Sequence, residues 1–366
     1  MNHPKRATIS EIAARAGVSK GAVSFALNGR PGVSEETRMR VQAIADELNW
    51  KPNRAARALG QSQAGAIGFV LNRSARILGT ETFFPQLLSG MQLGLTGSHT
   101  ALHMMVVGSV EEEMEAYREW WQSRIVDGVI MVDPRVDDPR LEVLEHLGLP
   151  AVQVAGHPSQ TAAIPAVWAD DRAATDTLVR YLHGLGHRRI AYVAGPEELE
   201  HTQLRRQEFS ASAEALELDA SQSVISGYEA DDAARVTREL LARSARPTAV
   251  MYDTDVMAMA SLRAAQGLGL RVPDELSIVS FEDSLLVQLG NPPITSLTRD
   301  TVAFGTLAVK TLLEHIAAET PVPSIEGAQP RLSIRESSGP APAPSGGVTG
   351  VRQMHGPHTP SSLAPC

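Results

Sequence analysis

The segment from Thr8 to Asn28 constrains the fold of this chain most, because its pattern predicts two short helices joined by a tight turn. Thr8 and Glu11 have the spacing of a capping box. The apolar residues between Thr8 and Gly17 recur at helical intervals. Ser19 is placed to cap the second helix. Such a hairpin is typical of proteins that insert the second helix into the major groove of DNA, although it also occurs as an ordinary hairpin in enzyme domains.

The second helix is predicted to bury one face and expose the other. Its inward residues are Val23, Ala26 and Leu27, and its outward residues are Lys20, Gly21, Ser24 and Phe25. A third helix is predicted from Ser34 to Leu48, with Ser34 as its cap and acidic residues in its first turn. The sequence therefore predicts a three-helix head.

The charge of the chain is unevenly distributed. The net charge is −9, but residues 1–60 hold 10 Lys and Arg against 5 Asp and Glu, whereas the remainder holds 23 against 37. A basic head on an acidic body favours docking on phosphate groups through the head alone. A solvated helical surface is the alternative interpretation of the basic residues.

Several classes of protein are disfavoured by the sequence. Cys366 is the only cysteine, so we expect neither an internal disulfide nor a thiolate metal site, and no apolar run has the length of a membrane span or signal peptide. We found no catalytic motif, and the histidine pairs His99/His103 and His183/His187 lack a helix that would align them on a metal. We therefore expect a cytoplasmic protein that is not an enzyme and has no cofactor or metal.

From Ala64 onward, short apolar runs alternate with helical segments in two similar halves. Strands covered by helices on both faces read as unbroken apolar runs, so the pattern predicts an α/β body with parallel, doubly wound sheets. The two similar halves therefore predict two lobes with a cleft between them, and we expect ligands to bind at the carboxyl ends of the strands. A further helix is predicted at 301–319, and the tail at 337–366, rich in Pro, Gly and Ser, is predicted to be disordered.

Motifs in the head resemble the DNA-binding domain of the lactose-repressor (LacI/GalR) family, in the family's order and spacing: AGVS, VSFALNG, VSEETR and KPNRAARAL. The resemblance continues to about Glu336 through FFPQLLSGM, VDGVIMVDP, LGHRRIAYVAGP and GLRVPDELSIVSFED. It implies a body with the fold of periplasmic sugar-binding proteins that binds a small effector and forms a homodimer, with a tetramer as a further possibility. The implied organisation is a helix-turn-helix head at 1–50, a hinge helix and linker at 51–63, and lobes at about 64–166 plus 297–324 and 167–296 plus 325–336.

The resemblance also implies which residues contact double-stranded operator DNA. They are Thr8, Ser19, Lys20, Gly21, Ala22, Ser24, Phe25 and Asn28 in the head, and Asn53, Arg54, Ala56, Arg57 and Leu59 in the hinge. Leu59 matches the family leucine that enters the minor groove, but seven residues are too few for a stable isolated helix, so a flexible linker is the alternative. Phe25 replaces a common arginine, and either contacts thymine methyl groups or packs on the linker.

The effector contacts implied by the resemblance are Phe83, Asp170, Arg205, Tyr228, Thr254 and Glu282. For Arg205 the alternative is a surface ion pair with Glu208, and for Tyr228 it is a core tyrosine. Among the acidic residues, Asp171 and Asp283 are predicted to cap helices instead. Many carboxylates and few apolar groups favour a carbohydrate as the effector.

Taken together, the sequence predicts a dimeric, effector-controlled repressor that binds a near-palindromic operator and has no membrane partner. The alternative is a solute-binding or enzymatic α/β protein with an incidental helical head.

Overall fold

The computed structural model of the chain describes residues 7–50, 63–158, 164–318, 320 and 322–343, with Ala75 described by its backbone alone. The chain divides into two compact units. The first comprises the described residues up to Leu78, Phe83–Trp168 and Thr301–Gly327. The second comprises Gly79–Thr82, Ala169–Asp300 and the described residues from Ala328 onward.

The head consists of three helices: α1 Ile9–Ala16, α2 Lys20–Leu27 and α3 Glu35–Glu47. The side chains of Thr8, Ser19 and Ser34 cap them by accepting hydrogen bonds from backbone N–H groups three residues later, at 3.1–3.3 Å. Gly17 ends α1 in the left-handed region, at φ 68°. The inward faces form a small core that includes Ile12, Ala16, Val23, Ala26, Val41 and Ala45. The predicted three-helix head is confirmed.

The first unit also contains a six-stranded sheet of order β11-β5-β4-β3-β1-β2, in which all neighbours are parallel. Its strands are β1 Ala66–Asn72, β2 Ala101–Val107, β3 Gly128–Val132, β4 Ala151–Val154, β5 Ala166–Trp168 and β11 Ile325–Glu326. Its helices are α4 Ala75–Leu78, α5 Phe83–Gly94, α6 Val110–Gln122, α7 Pro139–Leu147 and α13 Thr301–Ala317.

The second unit contains a six-stranded sheet of order β12-β10-β9-β8-β6-β7. Its strands are β6 Arg189–Ala194, β7 Ala220–Ile225, β8 Ala249–Tyr252, β9 Ser277–Ser280, β10 Thr295–Thr298 and β12 Arg331–Ser333. Its helices are α8 Asp171–Gly184, α9 Glu200–Ala215, α10 Ala230–Leu241, α11 Asp255–Gly267 and α12 Leu285–Gln288. Only β12 runs antiparallel to its neighbour in this sheet. The predicted doubly wound α/β body is confirmed.

The lobe boundaries of the structure differ from those expected from the sequence. Residues 79–82 belong to the second unit, although they lie within a stretch assigned to the first lobe. β10 lies wholly in the second sheet, whereas residues from 297 onward were expected in the first lobe. β11 is an edge strand of the first sheet, although residues 325–336 were assigned to the second lobe.

The prediction of a disordered tail from residue 337 is wrong for its first residues. Residues 337–341, here called the C-terminal strap, pack on the second unit through backbone hydrogen bonds. Ser337 is fully buried, with its carbonyl accepting from the N–H of Ile278 at 2.9 Å and its hydroxyl donating to the Ile278 carbonyl at 2.6 Å. The amino-acid composition of the tail did not predict this ordered segment, because backbone groups, rather than apolar side chains, make most of its contacts.

Candidate functional site

The outward face of α2 is the candidate DNA-reading surface of the head. Lys20 and Gly21 are exposed, and the ring of Phe25 is 40% exposed, whereas Val23 and Ala26 are buried in the head core. Ser19 holds the start of this helix through its bond with the N–H of Ala22. The predicted division into an inward and an outward face is therefore confirmed.

Phe25 rests on the loop between α2 and α3. A Cβ atom added to Gly32 would lie 3.0 Å from the ring, and Gly32 has a φ of +119°, so a glycine is needed there. Arg38 fixes this loop by donating to the carbonyls of Ala26 and Arg30, both at 3.1 Å. The ring thus contacts this loop and stays partly exposed to solvent.

The remaining DNA-contact candidates fall into two groups. Thr8 and Asn28 are exposed, and Asn28 donates to the Ser24 carbonyl at 2.9 Å, while Ala22 and Ser24 are half-buried. The hinge candidates Asn53, Arg54, Ala56, Arg57 and Leu59 lie outside the described residues.

A buried ionic cluster surrounds Arg205 on α9 in the second unit. The Nε and Nη2 groups of Arg205 donate to Oδ1 of Asp171 at 2.9 and 2.8 Å, and Nη1 donates to Asp253 at 3.0 Å. The guanidinium carbon lies 4.5 Å from the centre of the Phe281 ring, within range of a cation–π contact. The alternative of a surface pair with Glu208 is wrong, because Arg205 is buried and Glu208 lies 3.8 Å from Arg172 instead.

The two carboxylates of this cluster are strongly held. Burial opposes ionisation of Asp171, but the charges of Arg205 and Arg299 outweigh it and keep the pKa of Asp171 below its usual value. Asp253 follows strand β8 and accepts hydrogen bonds from the Tyr192 hydroxyl and from the N–H of Gly195 at 2.6 Å. A buried arginine fork held between the carboxyl groups of Asp171 and Asp253 is the defining feature of this site.

Two acidic residues do not have their predicted roles. Asp171 was expected to cap α8, but Asp170 is the cap, accepting from the N–H groups of Arg172 and Ala173. Asp283 was expected to cap α12, but Ser284 is the cap, and Asp283 pairs with Arg335 at 2.7 Å. The sequence could not separate adjacent cap candidates, because Asp170 and Asp171, like Asp283 and Ser284, both have the right spacing for a cap.

The other effector-contact candidates have well-defined surroundings. Thr254 is buried and caps α11 through the N–H of Met257 at 3.3 Å. Tyr228 is buried, and its hydroxyl lies 2.8 Å from Nε2 of His201. A Cβ on Gly195 would clash with the Tyr228 ring at 2.4 Å, so glycine at the end of β6 admits the ring. Phe83 lies in the first unit, half-buried, with its ring edge-on to Phe84 at 5.3 Å.

Glu282 lies at the end of β9 among other acids. It is half-buried, and its Oε2 atom is buried with no hydrogen-bond partner among the described residues. Burial, together with the charges of Asp255 and Glu81, raises the pKa of Glu282 well above its usual value. Thr82 donates to Asp255 at 3.1 Å, which ties residues 79–82 to this acidic group.

Sequence reasoning missed several members of this site. Arg299, which follows β10, approaches Asp171 at 3.5 Å, and its Nε atom is buried without a partner in the described part of the chain. Tyr192 and His201 also join the cluster. Only Arg299 had a local signal, because a charged residue directly after a strand lies at the binding edge of a parallel sheet.

A second buried network lies in the first unit and was not predicted. Arg140 is almost fully buried and donates to Glu113 at 2.8 Å, to Asp138 at 2.6 Å, and to the carbonyls of Val132 and Asp133. Asp133 has a φ of 50° and pairs with Arg73 at 2.7 Å. Arg140 therefore fixes the loop after β3.

Within the part of the chain that the structure describes, no group of three or more His, Cys, Asp or Glu side chains could hold a metal ion. A search of the same residues finds no helix with the length and apolar character of a membrane span.

The helix-turn-helix head joined to a body of two predominantly parallel sheets defines a DNA-binding regulator with a ligand-binding body. Residues 8–53 match the family described as bacterial regulatory proteins, lacI family, and residues 179–338 match the periplasmic binding protein-like domain. The chain is 36% identical to the transcriptional regulator MalR of Streptomyces coelicolor over 355 residues, covering 92% of this chain and 98% of MalR. It is also 30% identical to the regulator CelR of Thermobifida fusca, covering 92% and 100%. The chain belongs to the lacI family of transcriptional regulators.

Solved structures agree with this assignment. The lac repressor dimer bound to operator and the anti-inducer ONPF superimposes with a TM-score of 0.79, at 25% identity, covering 92% of this chain and 100% of that one. A complex of the regulator CelR with cellobiose gives a TM-score of 0.69, at 28% identity, covering 91% and 100%.

Proposed function

We propose that this regulator is a cytoplasmic, homodimeric repressor whose binding to operator DNA is controlled by a sugar or sugar derivative. The observation that carries the proposal is the buried Arg205 fork in a chain whose head exposes the reading face of a helix-turn-helix. A helix-turn-helix alone supports DNA binding, whereas a buried, oriented cation among polar groups in the body supports control by a small ligand. No enzymatic activity is part of the proposal.

DNA recognition is assigned to the head and the hinge. Lys20, Gly21 and Phe25 are proposed to reach base edges, because they share the exposed face of α2. The other proposed head contacts are Thr8, Ser19, Ala22, Ser24 and Asn28. The hinge contacts Asn53, Arg54, Ala56, Arg57 and Leu59 remain predictions from the sequence.

Effector binding is assigned to the acidic and arginine side chains of the second unit. Arg205 and Glu282 are proposed as the main contacts, and Asp170, Tyr228 and Thr254 are proposed as further contacts. Tyr228 offers an aromatic ring beside polar groups, an arrangement suited to a sugar ring. Phe83 remains a prediction from the sequence. The bound cellobiose of CelR supports a sugar as the class of effector.

Self-association is supported by exposed apolar residues in each unit. In the first unit, Met104 and Val106 are exposed on the edge strand β2. In the second unit, Leu285 and Leu289 on and beside α12 are 71% and 81% exposed. Exposed apolar side chains on an edge strand or a short helix are candidates for a protein interface, and the lac repressor relative is a dimer. A homodimer is therefore proposed.

The proposal is tested by selecting operator sequences from random duplexes with the full-length protein and measuring retardation with and without cellobiose or maltose. Arg205→Lys keeps the charge but loses the planar fork, so the effector concentration needed for a response is expected to rise at least tenfold, with unchanged operator affinity. Arg206→Lys is the matched control, because Arg206 pairs with Glu197 at the surface. Failure of the selection to enrich any sequence contradicts the proposed repressor.

A further inference from the structure

His187, which lies between α8 and β6, is fully buried and contacts the C-terminal strap. Its Nε2 atom lies 3.1 Å from the carbonyl oxygen of Gly339 and 3.1 Å from Oγ of Ser277. Its Nδ1 atom lies 2.9 Å from the hydroxyl of Thr248. A carbonyl oxygen can only accept, so Nε2 carries the proton of the neutral ring and Nδ1 accepts from Thr248. The neutral ring therefore uses both of its nitrogens, one of them on the strap.

A second proton on this ring is disfavoured while the strap is docked. Nδ1 would have to donate to Thr248, whose own proton would then turn to the carbonyl of Arg189 at 3.3 Å. The hydrogen-bond partners of the ring among the described residues are two hydroxyls and one carbonyl, none of which carries a negative charge. Burial accordingly lowers the pKa of His187 below its ordinary value, although the bond to Gly339 opposes the change.

The charged groups on the elements around the ring give a second proton little compensation. Arg188 donates to the carbonyl of His187 at 3.1 Å, so a cation already borders this residue. Of the two nearby acids, Glu275 pairs with Arg271 at 3.3 Å, and Glu336 is exposed to solvent. The titratable and charged residues of these elements are His183 and Arg188 at and after the end of α8, Arg189 on β6, Arg246 before β8, Glu275 before β9 and Glu336 before the strap.

The other contacts of the strap are hydrogen bonds as well. The N–H of Ala341 donates to the carbonyl of Leu185 at 2.8 Å, and the hydroxyl of Ser338 lies 2.8 Å from that of Tyr181. A short segment held in this way, near the end of the described chain, can leave its place without unfolding the rest of the unit. Its departure removes the Gly339 carbonyl from Nε2 of the ring.

We propose that the C-terminal strap is an acid-sensitive latch, which undocks from the second unit when His187 takes up a proton. The docked strap requires a neutral ring, whereas an undocked strap allows water to reach the ring and hydrate its charged form. Docking is therefore strongest above the ordinary pKa of histidine, about 6.5, and weakens as pH falls below that value. The inference goes beyond the proposed function, because it involves neither operator nor effector.

The latch acts on two neighbouring strands of the second sheet. The carbonyl of Ser337 accepts from the N–H of Ile278 on β9, and the Ser337 hydroxyl accepts from the N–H of Thr295 on β10. Undocking deprives both N–H groups of these partners. The residues that directly follow the carboxyl ends of these strands belong to the Arg205 cluster, so acid is expected to loosen the strands that lead to it.

Hydrogen exchange of the full-length protein at pH 7.5 and pH 5 tests the latch, with rates corrected for the intrinsic effect of pH. Because the released ring has a pKa of about 6.5, the protection of the strap amides is expected to fall by roughly ten- to thirtyfold between the two pH values. The amide of Ile278 should lose protection with them, whereas the amides of β8 should keep theirs. Unchanged protection of the strap overturns the inference, and so does an equal fall throughout the second unit.

His187→Gln separates the ring from other effects of acid. The glutamine amide can still donate to the Gly339 carbonyl but takes up no proton, so strap protection is expected to differ by less than about threefold between the two pH values. His146→Gln is the matched control, because it removes an exposed histidine of the first unit and should keep the wild-type fall. An equal fall in His187→Gln and the wild type contradicts the inference.

A chain ending at Glu336 gives a second measurement that leaves His187 in place. Its unfolding constant in urea is compared with that of the full chain at both pH values. The advantage of the full chain is expected to shrink by up to about thirtyfold at pH 5, because the protonated ring opposes docking. An equal advantage at both pH values contradicts the latch. Since these experiments contain no operator or effector, their failure leaves the proposed repressor in place, and failure to select an operator leaves the latch in place.

Discussion

At the scale of single residues, two buried arginines illustrate different roles. Arg140 donates to two carboxylates and two backbone carbonyls, so its hydrogen-bonding capacity is consumed in holding the loop after β3. Arg205 is also held by two carboxylates, but it lies in a cluster where Glu282 and Arg299 keep unpaired polar atoms. The Arg140 network also keeps such an atom, Oε2 of Glu113, so an unpaired atom alone does not mark a ligand site. What distinguishes the Arg205 cluster is its place just beyond the carboxyl ends of β8, β9 and β10, where ligands of parallel sheets bind.

The first prediction concerns Glu282 and the pH dependence of stability. Its pKa is raised above its ordinary value of 4.5 by burial and neighbouring acids. The folded state therefore retains a proton that the unfolded state loses, and the stability due to this group falls as pH rises through the raised pKa. Glu282→Gln cannot ionise, so at pH 8 it is expected to be more stable than the wild type by roughly 1–3 kcal/mol.

Urea unfolding at pH 5 and pH 8 checks this prediction. The gain should be smaller at pH 5, where less of the carboxyl group is ionised in the folded protein. Glu239→Gln, at an exposed ion pair, is expected to change stability by less than about 1 kcal/mol at either pH. An equal gain at both pH values would show that ionisation is not the cause.

At the scale of helices and strands, the sequence predicted features set by neighbouring residues better than contacts between residues that are far apart in the chain. The caps Thr8, Ser19 and Ser34 were correct, because cap and helix lie within four residues of each other. The short elements α4, β5, β11 and β12 were missed, since two to four residues carry no periodicity. The partners of Arg205 were missed for a related reason: Asp171 and Asp253 lie 34 and 48 residues away, and only the fold brings them together.

The second prediction concerns the exposed face of α2. Phe25→Arg replaces a ring that rests on Gly32 with a side chain able to form paired hydrogen bonds to guanine. The preferred operator is expected to gain a guanine at one position in each half-site, with about 1–3 kcal/mol of discrimination there. Sequence selection with both proteins checks this. Uniform weakening on all sequences would mean that Phe25 does not face the bases.

The third prediction concerns the C-terminal strap. A chain ending at Glu336 loses the four hydrogen bonds that Ser337 makes to Ile278, Pro293 and Thr295. The truncation also removes the Gly339 carbonyl, which lies 3.1 Å from Nε2 of the buried His187. At roughly 0.5–1.5 kcal/mol for each bond, a loss of several kcal/mol in unfolding free energy is expected.

A chain ending at Ala343 is the control for the strap, because it keeps every one of these bonds and should match the full chain in urea unfolding. Thermal unfolding followed by circular dichroism provides a second measurement. Equal stability of the two truncated proteins would show that the strap contributes nothing to the second unit.

At the scale of the whole molecule, the distribution of charge separates two tasks. Residues 1–60 have a formal charge of +5 and the remaining residues −14. The acidic part repels phosphate and contains the carboxylates of the Arg205 cluster, whereas the basic part attracts phosphate. The sequence alone predicted this separation, because net charge by segment requires no knowledge of the fold.

The last prediction is that operator affinity depends steeply on salt and that only charges near the head set this dependence. Each phosphate neutralised contributes about −0.9 to the slope of log affinity against log salt, so six to ten contacts imply a loss of about 10³ to 10⁵ between 50 and 200 mM salt. Arg57→Ala is expected to make the slope shallower by about one for each head that binds. Arg57 lies outside the described residues, and its role is predicted from the sequence.

Arg271→Ala provides the matched control for this measurement. Arg271 is exposed in the second unit, where it pairs with Asp274 and Glu275, so its removal makes the same charge change far along the chain from the head. If long-range attraction by total charge governed binding, both variants would weaken the affinity similarly without a specific change in slope. If counterion release at phosphate contacts governs it, only Arg57→Ala alters the slope, because only a residue that displaces condensed ions contributes to it.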